Sequence, residues 1–130
     1  MYSKECVETF LKQQGQLFDE PVAETLFGHC KVDGFFLEYD SERSGDFSPL
    51  RYIKDQKVVL GLITSKFPEL ENKDEVKNRI KEAEKYVPKE QLCLSPQCGF
   101  SSTEEGNVMT EEEQWAKVKL VKEIAEEVWE

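Results

Sequence analysis

Cys98 is the residue whose type and setting first suggest chemistry. In Leu92-Cys93-Leu94-Ser95-Pro96-Gln97-Cys98-Gly99-Phe100 an apolar run ends at a proline, and a cysteine comes just before a glycine. In open α/β folds, ligands collect beyond the carboxyl ends of strands. A thiolate there can be a nucleophile or a soft metal ligand. It can equally be a buried structural thiol, as free cysteines often are. Two other strand ends carry polar groups: Glu38, Asp40, Glu42 and Arg43 after the first, and Thr64, Ser65 and Lys66 after the second. A parallel sheet puts all these ends on one side, so Glu38 and Cys98 can converge. A carboxylate and a thiolate make half of a four-ligand zinc site. Thr64-Ser65-Lys66 lacks phosphate-loop spacing and reads as a solvated strand end.

His29 is the only histidine. It lies between a helix end and a strand start, on the amino-terminal face. At about 3.3 Å per residue it stands roughly 20 Å or more from Glu38. Cys30 is excluded from the site for the same reason, and a hydrolase triad is excluded with them. His29 suits the C-terminus of its own helix.

These residues must be positioned by alternating helices and strands. Val7, Phe10, Leu11 and Leu17 predict an opening helix, weakened at Gly15. A second helix starts after Asp19-Glu20, with Pro21 at its first position, Val22, Leu26 and Phe27 on its apolar side, and Gly28 as its stop. Strands are predicted within Val32–Asp40, Val58–Ile63 and Gln91–Ser95. The continuous run Phe35-Phe36-Leu37 suggests burial on both faces. Asn72 and Glu75 have capping-box spacing before a helix near Asn72–Tyr86, and Thr110 and Glu113 have it before the last helix. Trp115, Val118, Val121, Ala125 and Val128 form that last helix's predicted core stripe. The fold class is α/β: three parallel strands with flanking helices and right-handed crossovers. Long polar loops extend from the strand ends, at Ser41–Arg51, Thr64–Leu70 and Gly99–Met109.

Composition narrows the partners. The chain has 130 residues and a net charge of −10. Neither nucleic acid nor an anionic membrane suits that charge. No apolar run approaches the roughly 20 residues of a membrane span. The start shows no signal-peptide pattern, and Cys6, Cys30, Cys93 and Cys98 have no C-x-x-C spacing. Reduced thiols in the cytoplasm are the expectation.

Four segments together carry a resemblance. Val32-Asp33-Gly34-Phe35-Phe36-Leu37-Glu38-Tyr39-Asp40, Glu42-Arg43-Ser44-Gly45-Asp46, Val58–Ser65 and Leu94–Phe100 resemble the carboxyl-terminal part of the cobalamin-independent methionine synthases, with the shorter single-barrel members nearest. The likeness runs from about Pro21 to the end and leaves residues 1–20 as an unmatched helical segment. It implies part of a (β/α)₈ barrel, the TIM barrel, made of three βα units in residues 21–130. It implies methyl transfer from methyltetrahydrofolate to homocysteine in methionine biosynthesis, with zinc as the cofactor. By motif, Glu38 and Cys98 match two of the family's zinc ligands. The other two, a His-x-Cys pair, have no counterpart in this sequence. Zinc binding is therefore expected to be weak or absent, and activity of the chain alone low. Three βα units cannot close an eight-stranded barrel. Their open edges suggest self-association or a complementing chain. A non-catalytic interaction fragment and a truncated relic are the alternatives. Cys6 as a further ligand is weaker than its reading as a helix-face cysteine.

Overall fold

A computed structural model of the protein describes residues 20–39, 45–101, 106 and 108–130. The predicted opening helix, the unmatched segment 1–20 up to its last residue, Cys6, Asp40, Glu42 and Arg43 lie outside the described residues. Helix α1 (Glu20–His29) leads into strand β1 (Gly34–Glu38). A 3-10 turn (Ser48–Tyr52) precedes strand β2 (Lys57–Ile63) and helix α2 (Lys73–Ala83). A second 3-10 turn (Lys89–Gln91), strand β3 (Leu92–Pro96) and helix α3 (Glu111–Trp129) complete the order. The three strands pair in parallel in the order β1-β2-β3. No helix among the described residues is long and apolar enough to cross a membrane.

Both predicted helix starts carry caps. The Asn72 side chain accepts from the N–H groups of Asp74 at 2.8 Å and Glu75 at 3.3 Å. Thr110 and Glu113 form a reciprocal capping box: the Thr110 N–H donates to Glu113 at 2.7 Å, and the Glu113 N–H donates back at 3.3 Å. Each cap satisfies donors that the first helical turn leaves unpaired.

Strand pleating divides the sheet into unlike faces. Phe35, Val58 and Leu92 share one row with buried side chains, as do Leu37 and Leu60 in the next. Against this face pack Ala23 and Phe27 of α1, Val76, Ile80 and Ala83 of α2, and Leu120 and Ile124 of α3. Phe27 meets Phe35 edge-on, with ring centres 5.0 Å apart. Each large aliphatic side chain fully buried here contributes about 1.5–3 kcal/mol. The opposite face carries Phe36, Val59 and Cys93 in one row, and Glu38, Gly61 and Ser95 in the next.

Three expectations need correction. Phe36 is 82% exposed, so the Phe-Phe-Leu run is not buried on both faces. Its neighbours Phe35 and Leu37 point to the helices, and Phe36 points away from them. The last helix buries Lys117, Leu120 and Ile124; of the predicted stripe, Val121 and Val128 pack against the core partly buried, whereas Trp115, at 64%, and Val118 are exposed. Finally, Cys30 is disulfide-bonded, not reduced. Cys93 and Cys98 are free thiols.

One irregularity matters for the site. Gly61 pairs with Ser95, but Ile63 pairs with Pro96, so β2 carries one residue more than β3 at its end. Such a bulge re-aims the chain beyond it. The Gln97 N–H then donates to the Ile63 carbonyl at 2.7 Å, prolonging the pairing beyond β3.

Candidate functional site

The carboxyl ends of the three strands meet around Gly61. The Tyr39 N–H donates to the Gly61 carbonyl at 2.9 Å, which fixes the chain just past Glu38. A Cβ on Gly61 would lie 3.0 Å from the Leu37 carbonyl oxygen, 3.1 Å from the Gln97 Cα and 3.5 Å from the Glu38 Cα. Glycine thus lets Gln97 cross the end of β2 and approach β1 closely.

That approach links the two candidate ligand positions. Gln97 Nε2 donates to Glu38 Oε2 at 2.8 Å, across the middle strand. Consecutive Cα atoms are about 3.8 Å apart, so Cys98 comes immediately after in the chain. Cys98 Sγ is in turn hydrogen-bonded to Ser65 Oγ at 3.0 Å. Ser65 is only 1% exposed, a buried hydroxyl directed at the thiol. Glu38, Gln97, Cys98 and Ser65 therefore form one connected group contributed by all three strand ends. His29 ends α1 at the opposite end of the sheet, with Cys30 next to it, as the sequence predicts.

Beneath this group lies a charged support. Lys117 is 0% exposed and pairs with the Glu71 carboxylate at 2.9 and 3.1 Å, and it also donates to the Glu69 carbonyl. Glu71 Oε1 accepts from the Thr64 N–H at 2.8 Å. A buried cation is tolerable only when paired in this way. The ion pair ties α3 to the loop that carries Ser65, one residue beyond Thr64.

Two nearby groups are structural. Tyr39 is fully buried, with its ring 4.5 Å from Phe47. Burial first, and the Asp46 carboxylate second, push its phenol above the ordinary range, against a smaller opposing pull from Arg79. Asp46 accepts from the hydroxyl and N–H of Ser48, which hold its carboxyl below the usual range. This contact closes a local turn just ahead of the first 3-10 turn.

Gln97 Oε1 is buried and has no hydrogen-bond partner among the described residues. An unsatisfied buried acceptor costs about 1–3 kcal/mol, so a donor brought by a ligand or water is favoured there. Amide inversion would not relieve this, since it would set oxygen against the Glu38 carboxylate. A cation fits the donor chemistry in kind: carboxylate oxygen and sulfur are both zinc ligands, and each already has an outer hydrogen-bond partner. In number the fit is partial. No group of three or more His, Cys, Asp or Glu side chains suited to a metal occurs among the described residues.

The sequence singles out Glu38 and Cys98 as candidates but gives no sign of the side chains bonded to them. Ser65 reads as solvated in sequence and is buried in the fold. Gln97 sits inside the Cys98 motif without any local sign of reaching β1. Lys117 had one available signal, its helical spacing with Leu120 and Ile124.

The family described as "Cobalamin-independent synthase, Catalytic domain" matches residues 27–127. Two uncharacterized proteins of Bacillus subtilis (strain 168), YxjG and YxjH, are 63% and 60% identical to this chain over 112 residues. Those matches cover 85% of this chain and 30% of each relative. A solved structure from Listeria monocytogenes, whose provisional name is vitamin-B12-independent methionine synthase, superposes with a TM-score of 0.69 at 49% identity. It is covered over 32% of its length, against 85% of this chain. The chain thus spans about a third of the length of the proteins it resembles.

Proposed function

Because the chain belongs to the family of cobalamin-independent synthase catalytic domains, we propose that it supplies the carboxyl-terminal portion of a zinc-dependent methyltransferase site. In this reading residues 21–130 are the last βα units of a TIM barrel. The reaction is transfer of the methyl group of methyltetrahydrofolate to the sulfur of homocysteine, giving methionine. Glu38 and Cys98 would hold the zinc, through one carboxylate oxygen and one sulfur. The metal, when bound, favours the deprotonated form of a substrate thiol, the form able to attack an inert methyl carbon.

The chain's own residues do the rest at this edge of the site. Gln97 orients the Glu38 carboxylate. Ser65 orients the Cys98 sulfur. Gly61 leaves room for the crossing. The observation that carries the reading is the Gln97–Glu38 bond of 2.8 Å, which joins the Cys98 segment to the end of β1.

Two donors are fewer than the four of a closed zinc site. Purified, monomeric chain supplied with zinc, homocysteine and methyltetrahydrofolate is expected to form little or no methionine. Methionine formation at a rate abolished by Cys98→Ala would overturn that expectation and make the chain a complete enzyme. A second reading, a non-catalytic fragment that associates with another copy of itself, draws on the exposed Phe36 ring of the open sheet face. Light scattering separates the two, because a stable dilute monomer excludes self-association.

A further inference from the structure

We propose that the open face and outer edges of the sheet are a docking surface for a second, different polypeptide. That partner supplies the two-thirds of a family catalytic domain that this chain does not span. This rests on the reading of the chain as one portion of a larger site, and on neither zinc nor methyl transfer.

The sheet is finished on one side only. Its helix-covered face is core, whereas Phe36, Val59 and Cys93 form a row across all three strands on the other face. Phe36 is almost wholly in solvent, and Val59 and Cys93 are half-buried. Purely parallel sheets occur almost only with both faces covered. Among the described residues no strand pairs with the outer edge of β1 or of β3. Unpaired edges of this kind are templates for strand addition. The loop after β2 adds two more exposed apolar side chains, Phe67 and Leu70. Fraying does not explain them, because Glu71 accepts from the Thr64 N–H and from Lys117, and Lys117 also donates to the Glu69 carbonyl.

Size separates the two kinds of occupant. The outer strands are five residues long, and with strands about 4.8 Å apart the face measures roughly 250 Å². A stable interface takes about 800 Å² from each partner, so stacking this face on that of a second copy falls well short. Each copy also carries a charge of −10, and the exposed Glu38 stands in the next row of the face, so two copies oppose like charges. The partner must extend the edges as well as cover the face. The relatives hold chain of that extent. The match takes 30% of YxjG and 32% of the Listeria chain, and the matched part keeps this arrangement with a TM-score of 0.69.

The test refolds the full chain from urea together with YxjG from which the 112 matched residues have been removed. Light scattering on the mixture is expected to show an equimolar complex. Cys93 is a free thiol on the open face and reports where the partner sits. Its labelling by maleimide, read by peptide mapping, should slow about tenfold or more in the complex, because thiol reactivity follows access. Phe36→Asp should weaken the complex about tenfold or more, as at an interface anchor. The free Phe36→Asp chain should keep a denaturation midpoint near that of the wild type, since the ring lies in solvent. Lys81→Ala, on the exposed side of α2, should leave the complex intact.

Absence of the complex overturns the proposal, whether or not the excised YxjG segment binds in place of the chain. So does a complex in which Cys93 is labelled at its free rate, or one that forms equally well with Phe36→Asp. Self-association of the chain alone, with Cys93 protected, assigns the face to a second copy and overturns it too. Turnover is read apart: docking without methionine formation leaves the interface standing and removes the methyl-transfer reading.

Discussion

The two ends of the sheet are held together by different kinds of bond. At the amino-terminal end, side chains are tied to main-chain carbonyls. Gln91 Nε2 donates to the carbonyls of Lys54 at 3.0 Å and Gln56 at 2.8 Å, and Trp129 Nε1 donates to the Lys89 carbonyl at 3.1 Å. At the carboxyl-terminal end, side chains also meet side chains: Gln97 with Glu38, Ser65 with Cys98, and Lys117 with Glu71. A carbonyl acceptor is present whatever residue occupies the position. A carboxylate, a thiol or a buried ammonium must be encoded specifically. At the first end only the donors, Gln91 and Trp129, must be encoded, whereas at the second both members of each pair are specified.

The largest expected effect breaks the support of the chemical end. Lys117→Met leaves the Glu71 carboxylate without its cation. Glu71 is about one-fifth exposed, which moderates the loss for a broken buried pair to about 2–3 kcal/mol. Urea denaturation measures it. A loss confined to a few tenths of a kcal/mol would mean that the ion pair bears little on stability.

A smaller effect is expected at the other end. Gln91→Ala removes two neutral hydrogen bonds to carbonyls and should cost about 1–2 kcal/mol. Cobalt or zinc binding should be unchanged, which is the sharper half of the comparison. Altered metal affinity in Gln91→Ala would show that the two ends are not independent.

The smallest effect concerns neither end. Lys73 and Lys77 of α2 clasp Glu123 and Glu127 of α3, with Lys73–Glu123 and Lys77–Glu127 both at 2.7 Å. Hydrogen bonding to these lysines lowers the pKa of Glu123 and Glu127. Bonding to the glutamates raises the pKa of Lys73 and Lys77. The carboxylate contribution is complete above the ordinary value of 4.5 and is lost as pH falls through the lowered folded values. The lysine contribution is complete below 10.5 and is lost as pH rises through the raised folded values. All four groups are reached by solvent, so salt screens the clasp. Glu127→Gln should lower the thermal midpoint slightly at neutral pH. That difference should shrink in high salt and at both pH extremes, as thermal melts across pH can check.

How much of this could be read from sequence depends on the range of each interaction. The Asn72 and Thr110 caps span two or three residues, so their spacing betrays them, and the order of strands and helices comes with them. Glu38 and Cys98 are legible because each sits inside a recognisable motif. Lys117 and Glu71 are 46 residues apart, and Ser65 and Cys98 are 33 apart. Nothing local marks either member of those pairs. Phe36 misleads because an apolar run states hydrophobicity but not which face is covered. Its exposure depends on where the helices pack, a tertiary fact.

The extra residue near the end of β2 has a consequence for how such a site can vary. Pleating couples position to direction, so a one-residue slip exchanges the faces of everything beyond it. Confined to Gly61–Ile63 against Ser95–Pro96, the slip leaves the paired rows upstream untouched. It acts as a vernier between scaffold and tip: inserting or removing a residue there would turn the Cys98 segment by half a pleat without disturbing Val58, Leu60 or Leu92. Descendants of this fold could retune where the sulfur points while inheriting the same core.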